Sequence, residues 1–226
     1  MQTIPVRLWD LPTRLFHWAL VIGIGFSWFC AEIGGNWMVW HERSGIFLLA
    51  LVVFRVVWGV IGSDTARFAQ FLKSPRHALT HFSELRTKAT AFHAGHNPLG
   101  AWMVVALVLA VLMQASTGLF ATDDIMTEGP LIGLVTADTA EVLTSIHHLT
   151  FNGILLLAAA HIAAVLFYRF YKRTNLIKAM VIGKADWPAE QSPPPVGLRF
   201  KPVWLGVLVF VAVYAAVFSG ITWLAA

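Results

Sequence analysis

Five stretches of this chain run for about twenty residues or more with almost no charge, and each is long enough to cross a hydrocarbon layer about 30 Å thick as a helix. They cover roughly Leu11 to Ala31, Val39 to Gly62, Asn97 to Thr122, Val142 to Tyr168 and Pro202 to Ala226. In lipid, every backbone N–H and C=O must find its partner within the chain, so such stretches fold as helices. The fold class this predicts is all-α, an integral membrane protein with five spans. Composition agrees, because 58% of the 226 residues are hydrophobic and only 12% are charged, about half the charge of a soluble domain. Asp10 is placed to cap the first span, with Pro12 tolerated in its first turn, and Asn97-Pro98 sets the same kind of start for the third.

Several function classes drop out. The single Cys30 leaves no disulfide framework and no cysteine pair for zinc or an iron–sulfur cluster. No Cys-x-x-Cys-His occurs, so covalent haem attachment is excluded. The net charge of +4 is not a nucleic-acid signature, since the basic residues flank the spans. The first span is long for a signal peptide and no Ala-x-Ala site follows it.

Orientation follows from the loops. Residues 63–97 carry Arg67, Lys73, Arg76, Arg86 and Lys88 against Asp64 and Glu84, and a second basic group runs from Arg169 to Lys201. Residues 123–141 carry Asp123, Asp124, Glu128, Asp138 and Glu141 with no Lys or Arg. The positive-inside rule then puts the N-terminus in the cytoplasm and both the acidic loop and the C-terminus outside, with the chain multi-pass. Residues 1–184 read as one membrane domain, 185–201 as a cytoplasmic linker containing Ser192-Pro-Pro-Pro195, and 202–226 as an additional span.

Nine histidines remain to be explained. His77, His81, His93 and His96 lie in or beside the basic loop, and the other five lie in or at the ends of spans. His147 and His161 are fourteen residues apart, close to four helical turns, so both fall near one face with roughly 21 Å of axial separation. With the spans alternating in direction, His41 and His147 share the outer depth, and His17 and His161 share the inner one. Two facing neutral imidazoles supply the bis-axial ligation that haem iron accepts. Zinc prefers a more compact set of three or four ligands, and a proton relay favours buried carboxylates that the span interiors lack.

Gly45, Gly23, Gly25 and the alanines around His161 leave room for a flat macrocycle, although ordinary helix packing selects the same residues. Arg55 lies fourteen residues after His41 on the same face, and Arg14 lies three before His17. Each reads either as a partner for a haem propionate or as a side chain snorkelling to the headgroups.

The run Leu8-Trp-Asp-Leu-Pro-Thr-Arg-Leu-Phe-His-Trp18 resembles the start of bacterial cytochrome b561-type proteins, a family that includes the cytochrome b subunits of NiFe hydrogenases. So do His41-Glu-Arg-Ser-Gly45, Phe54-Arg-Val-Val-Trp-Gly-Val-Ile-Gly62, Gly95-His-Asn-Pro-Leu-Gly100, Thr117-Gly-Leu-Phe120, Ile146-His147 with His161, and Asn175-Leu-Ile-Lys-Ala-Met-Val-Ile-Gly-Lys184. The resemblance covers residues 7–184. It implies a four-helix bundle holding two b-type haems, here extended by a fifth transmembrane helix. Its axial ligands carry over to His17, His41, His147 and His161.

Where the family commonly has an acidic residue, this chain has His148. The fourteen-residue spacing favours His147 as the ligand, since His148 is turned by about 100°.

The function the resemblance implies is transmembrane electron transfer, as an electron-transfer subunit of an oxidoreductase system. Electrons would pass between a periplasmic partner (a c-type cytochrome, a dehydrogenase or a hydrogenase subunit) and the quinone pool. A self-sufficient superoxide:quinone oxidoreductase is the second reading, and a haem-free membrane anchor or transporter using the same histidines is a third. His96 and Asn97 are the candidates for a quinone site, with Gln114, Ser116 and Thr117 a weaker set.

Overall fold

The computed structural model describes residues 3–76, 78, 95–123, 127–188 and 194–226. His77, His81, His93, Glu84, Arg86, Lys88, Asp124, Glu190 and the Ser192-Pro193 part of the linker lie outside the described residues.

Among the described residues, five helices are long and apolar enough to cross a membrane. They are α1 (Leu11–Ile33), α2 (Met38–Ile61), α4 (Pro98–Gly118), α5 (Ala137–Phe170) and α7 (Val203–Leu224), with short helices α3 (Phe68–Phe71) and α6 (Leu176–Ile182) between them. The protein is thus an all-α integral membrane protein, and among the described residues β1 (Thr3–Arg7) and β2 (Lys184–Pro188) form a small antiparallel sheet.

The ends of the helices follow from local chemistry. Asp10 Oδ1 accepts from Thr13 N at 2.8 Å, and Asn97 Oδ1 accepts from Gly100 N at 2.6 Å, each a side-chain cap for an orphan donor of the first turn. α5 starts five residues before the expected Val142. Thr136 leads into it, accepting from Ala140 N at 2.9 Å. Asp138 sits in its first turn, where a negative charge meets the positive end of the helix dipole. Hydropathy alone sees only the apolar part of such a helix. At the other end Arg173 turns left-handed, with φ 59°, and Thr174 N donates to Tyr168 O at 2.9 Å, so an orphan carbonyl of the last turn finds its partner beyond the helix.

The expected linker from Ala185 instead begins as a strand. Pairing runs from Thr3 against Pro188 to Arg7 against Lys184. Pro5 and Pro188 are tolerated because a two-stranded sheet has only edge strands.

The described chain divides into two compact units. The first comprises Met1–Leu15, Val57–Ala106 and Leu157–Gly206. Its sheet packs Trp187, Leu8, Trp9 and Ala179 into one apolar cluster. Gly183, left-handed at φ 80°, ends α6, and its carbonyl accepts from both Leu8 N and Trp9 N. The buried carboxylate of Asp10 also accepts from Trp58 Nε1 at 3.0 Å. The segment leading into α7 is stitched to the end of α2: Arg199 N donates to Asp64 Oδ2 at 2.9 Å and Lys201 N to Ser63 Oγ at 3.0 Å.

The second unit comprises Phe16–Val56, Leu107–Leu156 and Val207–Ala226. Its core joins Ile46 and Leu49 of α2, Leu131, and Ile221 of α7. Phe210 of α7 lies edge-on to Phe47 and Phe54 of α2. After α4 the backbone pairs back on itself, with Gly129 N donating to Ala121 O at 2.7 Å and Leu131 N to Leu119 O at 2.8 Å.

Candidate functional site

The second unit brings His41 and His147 together. Their ring centres are 6.1 Å apart, with the planes at 78°. Each ring is fixed through its Nδ1. His41 Nδ1 donates to the backbone carbonyl of Ser27 at 2.9 Å, with Ser27 Oγ at 3.1 Å. His147 Nδ1 donates to the backbone carbonyl of Gln114 at 2.9 Å. A carbonyl oxygen can only accept, so Nδ1 carries the proton in both rings and Nε2 keeps its lone pair. Such a second hydrogen bond is what orients and tautomerises a metal-ligating histidine. In agreement, the Gln114 amide lies 3.0 Å from His147 Nε2 and can donate to that lone pair.

The spacing of the two rings fits a b-type haem, whose iron would take the His147 Nε2 lone pair that the Gln114 amide meets here. A metal–imidazole bond of about 2 Å, with about 1 Å more from nitrogen to ring centre, sets two facing ligand rings roughly 6 Å apart. Gly45, one turn from His41 and half-buried, has open space where a side chain would stand. Among the described residues no group of three or more His, Cys, Asp or Glu gathers as a metal cluster.

His148 is exposed and lies 6.2 Å from His147, ring edge to ring face. It is His147 that carries the carbonyl partner and faces His41. Gln114 and Thr117, weighed above for a quinone, are both neighbours of the His147 ring, with Thr117 Oγ1 3.4 Å from Nδ1.

The remaining candidates are placed as follows. His17 is half-buried on α1 in the second unit, its ring edge-on to Trp18. His161 is half-buried on α5 in the first unit. Arg55 is buried in α2 at 2% exposure. The guanidinium of Arg14 donates to the carbonyl of Val181 at the end of α6, where a cation meets the negative end of a helix dipole. His96 lies between Trp9 and Phe71, 4.7 Å from each ring centre. Asn97, besides capping α4, donates to Tyr168 Oη at 2.8 Å, so both ends of its amide are engaged.

Sequence reasoning passed over Ser27 and Gly118. A side chain at Gly118 would meet the His147 ring at 2.9 Å. Its only signal is membership of the Thr117-Gly-Leu-Phe120 run, and neither periodicity nor charge marks it.

The family model described as prokaryotic cytochrome b561 matches residues 8–183. The chain belongs to the prokaryotic cytochrome b561 family. No curated protein and no solved structure matches it. As a b561-family protein it is a multi-pass membrane cytochrome that transfers electrons through b-type haem. Of the five spans, α7 lies wholly beyond the matched residues.

Proposed function

We propose that the protein carries single electrons across the bacterial inner membrane through two b-type haems. His41 and His147 would be the axial ligands of the outer haem, and His17 and His161 those of the inner. Bound haem supplies the one-electron carrier; the chain fixes ligand orientation and burial, the means by which a protein tunes such a centre. The observation that carries the reading is the facing His41–His147 pair, 6.1 Å apart with both Nδ1 atoms bonded to backbone carbonyls. The inner pair is supported by the fourteen-residue spacing of His147 and His161 along the single helix α5. Arg55, buried on the same helix as His41, is the proposed propionate partner. Arg14 is the less favoured one, because its guanidinium is engaged at Val181.

Haem quantitation tests the assignment. Single variants His41→Ala and His147→Ala should each lose one of two haems per chain, and His17→Ala and His161→Ala should lose the other. Retention of the full complement in the outer variants would sink it.

The N-terminus is assigned to the cytoplasm and the C-terminus to the periplasm, from the Lys/Arg bias of the loops. The electron route runs between a periplasmic redox protein and the quinone pool. The acidic Asp123, Glu128, Asp138 and Glu141 suit a basic partner such as a c-type cytochrome. On the cytoplasmic side His96, at the entrance of α4, is the residue assigned to quinone. In proteoliposomes containing quinone, electron transfer from a basic c-type cytochrome should slow as salt is added, and His96→Ala should slow quinone-linked reduction. A salt-independent rate removes the first assignment, and an unchanged rate in His96→Ala removes the second.

A further inference from the structure

Gly118 ends α4, and its backbone does not require glycine. The glycines with positive φ are Gly34, Gly35, Gly95, Gly183 and Gly197, so an alanine at 118 would meet no conformational penalty and would favour the helix. What it would meet is His147. A Cβ at 118 falls 2.9 Å from His147 Cε1, 3.2 Å from Nδ1 and 3.8 Å from Nε2, and these are its three nearest atoms. The last turn of α4 therefore holds this ring from two sides. Gln114 O takes the Nδ1 proton at 2.9 Å, and the missing side chain of Gly118 leaves the slot in which the ring edge lies. The opposite ring, His41, is held by Ser27 on another helix. The two planes stand at 78°.

We propose that Gly118 is the positioning residue that sets the angle between the His41 and His147 imidazole planes, and through it the electronic character of the iron they ligate. The inference rests on the reading of this pair as axial ligands. Axial imidazoles lying near perpendicular leave two iron dπ orbitals close in energy, whereas parallel planes split them. That splitting governs the largest g-value of the low-spin ferric centre and contributes to its potential. An alanine Cβ would turn or push the ring and lengthen the Nδ1–H···O bond to Gln114, changing the angle without removing the ligand.

The test is Gly118→Ala in the haem-loaded protein, read by ferric EPR, redox titration and haem quantitation. The largest g-value and the midpoint potential of one centre should shift while the other centre keeps both. Selective loss of that one haem would overturn the proposal, because Gly118 would then only make room for the ligand and not set its angle. Unchanged g-values and potentials at full haem content would overturn it. If Gly118→Ala fails to assemble, the double variant His147→Ala/Gly118→Ala decides. Recovery of membrane insertion once the ring is gone supports the proposal, and the same failure in the double variant overturns it. His147→Ala alone keeps the two readings separable: full haem retention there refutes the ligand assignment, and with it the role of Gly118, whereas loss of one haem there with unchanged g-values and potentials in Gly118→Ala refutes the role of Gly118 alone.

Discussion

A carboxylate buried where a membrane helix begins is costly unless both oxygens are met by donors. Asp10, 1% exposed, meets that condition, with Oδ1 on Thr13 N and Oδ2 on Trp58 Nε1. Trp58 is itself fully buried, so removing the carboxylate strands an indole N–H as well as a helix donor. Asp10→Ala should therefore lower stability by about 1–3 kcal/mol. Asp10→Asn should cost less, because its amide oxygen can still cap Thr13. The unfolding midpoint of the detergent-solubilised protein checks both. The cap was legible in the sequence, since Asp before an apolar run with Pro12 in the first turn is a local signal. The Trp58 contact was not, because a partner forty-eight residues away leaves no periodic trace. Spacing also favours His147 over His148 as the proposed ligand, as a rotation of about 100° separates adjacent helical residues. Arg14 shows the opposite case. Its charge suggested a propionate or the headgroups, but the free carbonyl at the end of α6 lies within its reach, and no feature near position 14 announces a helix end at Val181.

Among the elements, the spans were the most legible, because twenty apolar residues in lipid have only one backbone solution. The pairing of β1 with β2 was the least. Each strand has five residues and contains a proline, and their partners lie about 180 positions apart. The clasp between the end of α2 and the start of α7 is another nonlocal feature with a testable consequence. Asp64 is held below its ordinary value of 3.8 by the Arg199 backbone N–H first, with burial opposing and the charges of Arg67 and Arg199 adding to it. A depressed carboxylate contributes stability above its unfolded value, and this is lost as pH falls through the folded one. Asp64→Ala should thus destabilise the protein near neutrality. The gap between parent and variant should close as the pH falls below about 3.8. Melting midpoints of the two proteins across that range provide the check, and a constant gap would show that Asp64 acts without its charge.

At the scale of the whole molecule, the question is how much of the chain the electron-transfer core needs. The family match ends at residue 183 and α7 begins at Val203. α7 is mostly exposed, but it packs on the chain at a few points. Gly206 admits Pro12 and Trp58 so closely that a Cβ there would lie 2.5 Å from Pro12. Phe210 meets Phe47 and Phe54, and Ile221 joins the cluster of Ile46, Leu49 and Leu131. In water, exposing these surfaces would be prohibitive for a small domain. In a membrane the acyl chains replace the lost neighbours, and what is forfeited is shape-matched packing, not hydrophobic burial. The polar stitches to Asp64 and Ser63 come from the backbone of Arg199 and Lys201, before α7 begins. A chain ending after Lys201 should therefore insert, keep its haem complement and melt at a lower temperature than the parent. Haem content per chain and the melting midpoint in detergent check this. Loss of the haem assigned to His41 would instead mean that α7 holds α2, and with it this proposed ligand, in place, and residues 1–184 would no longer stand as a self-sufficient domain.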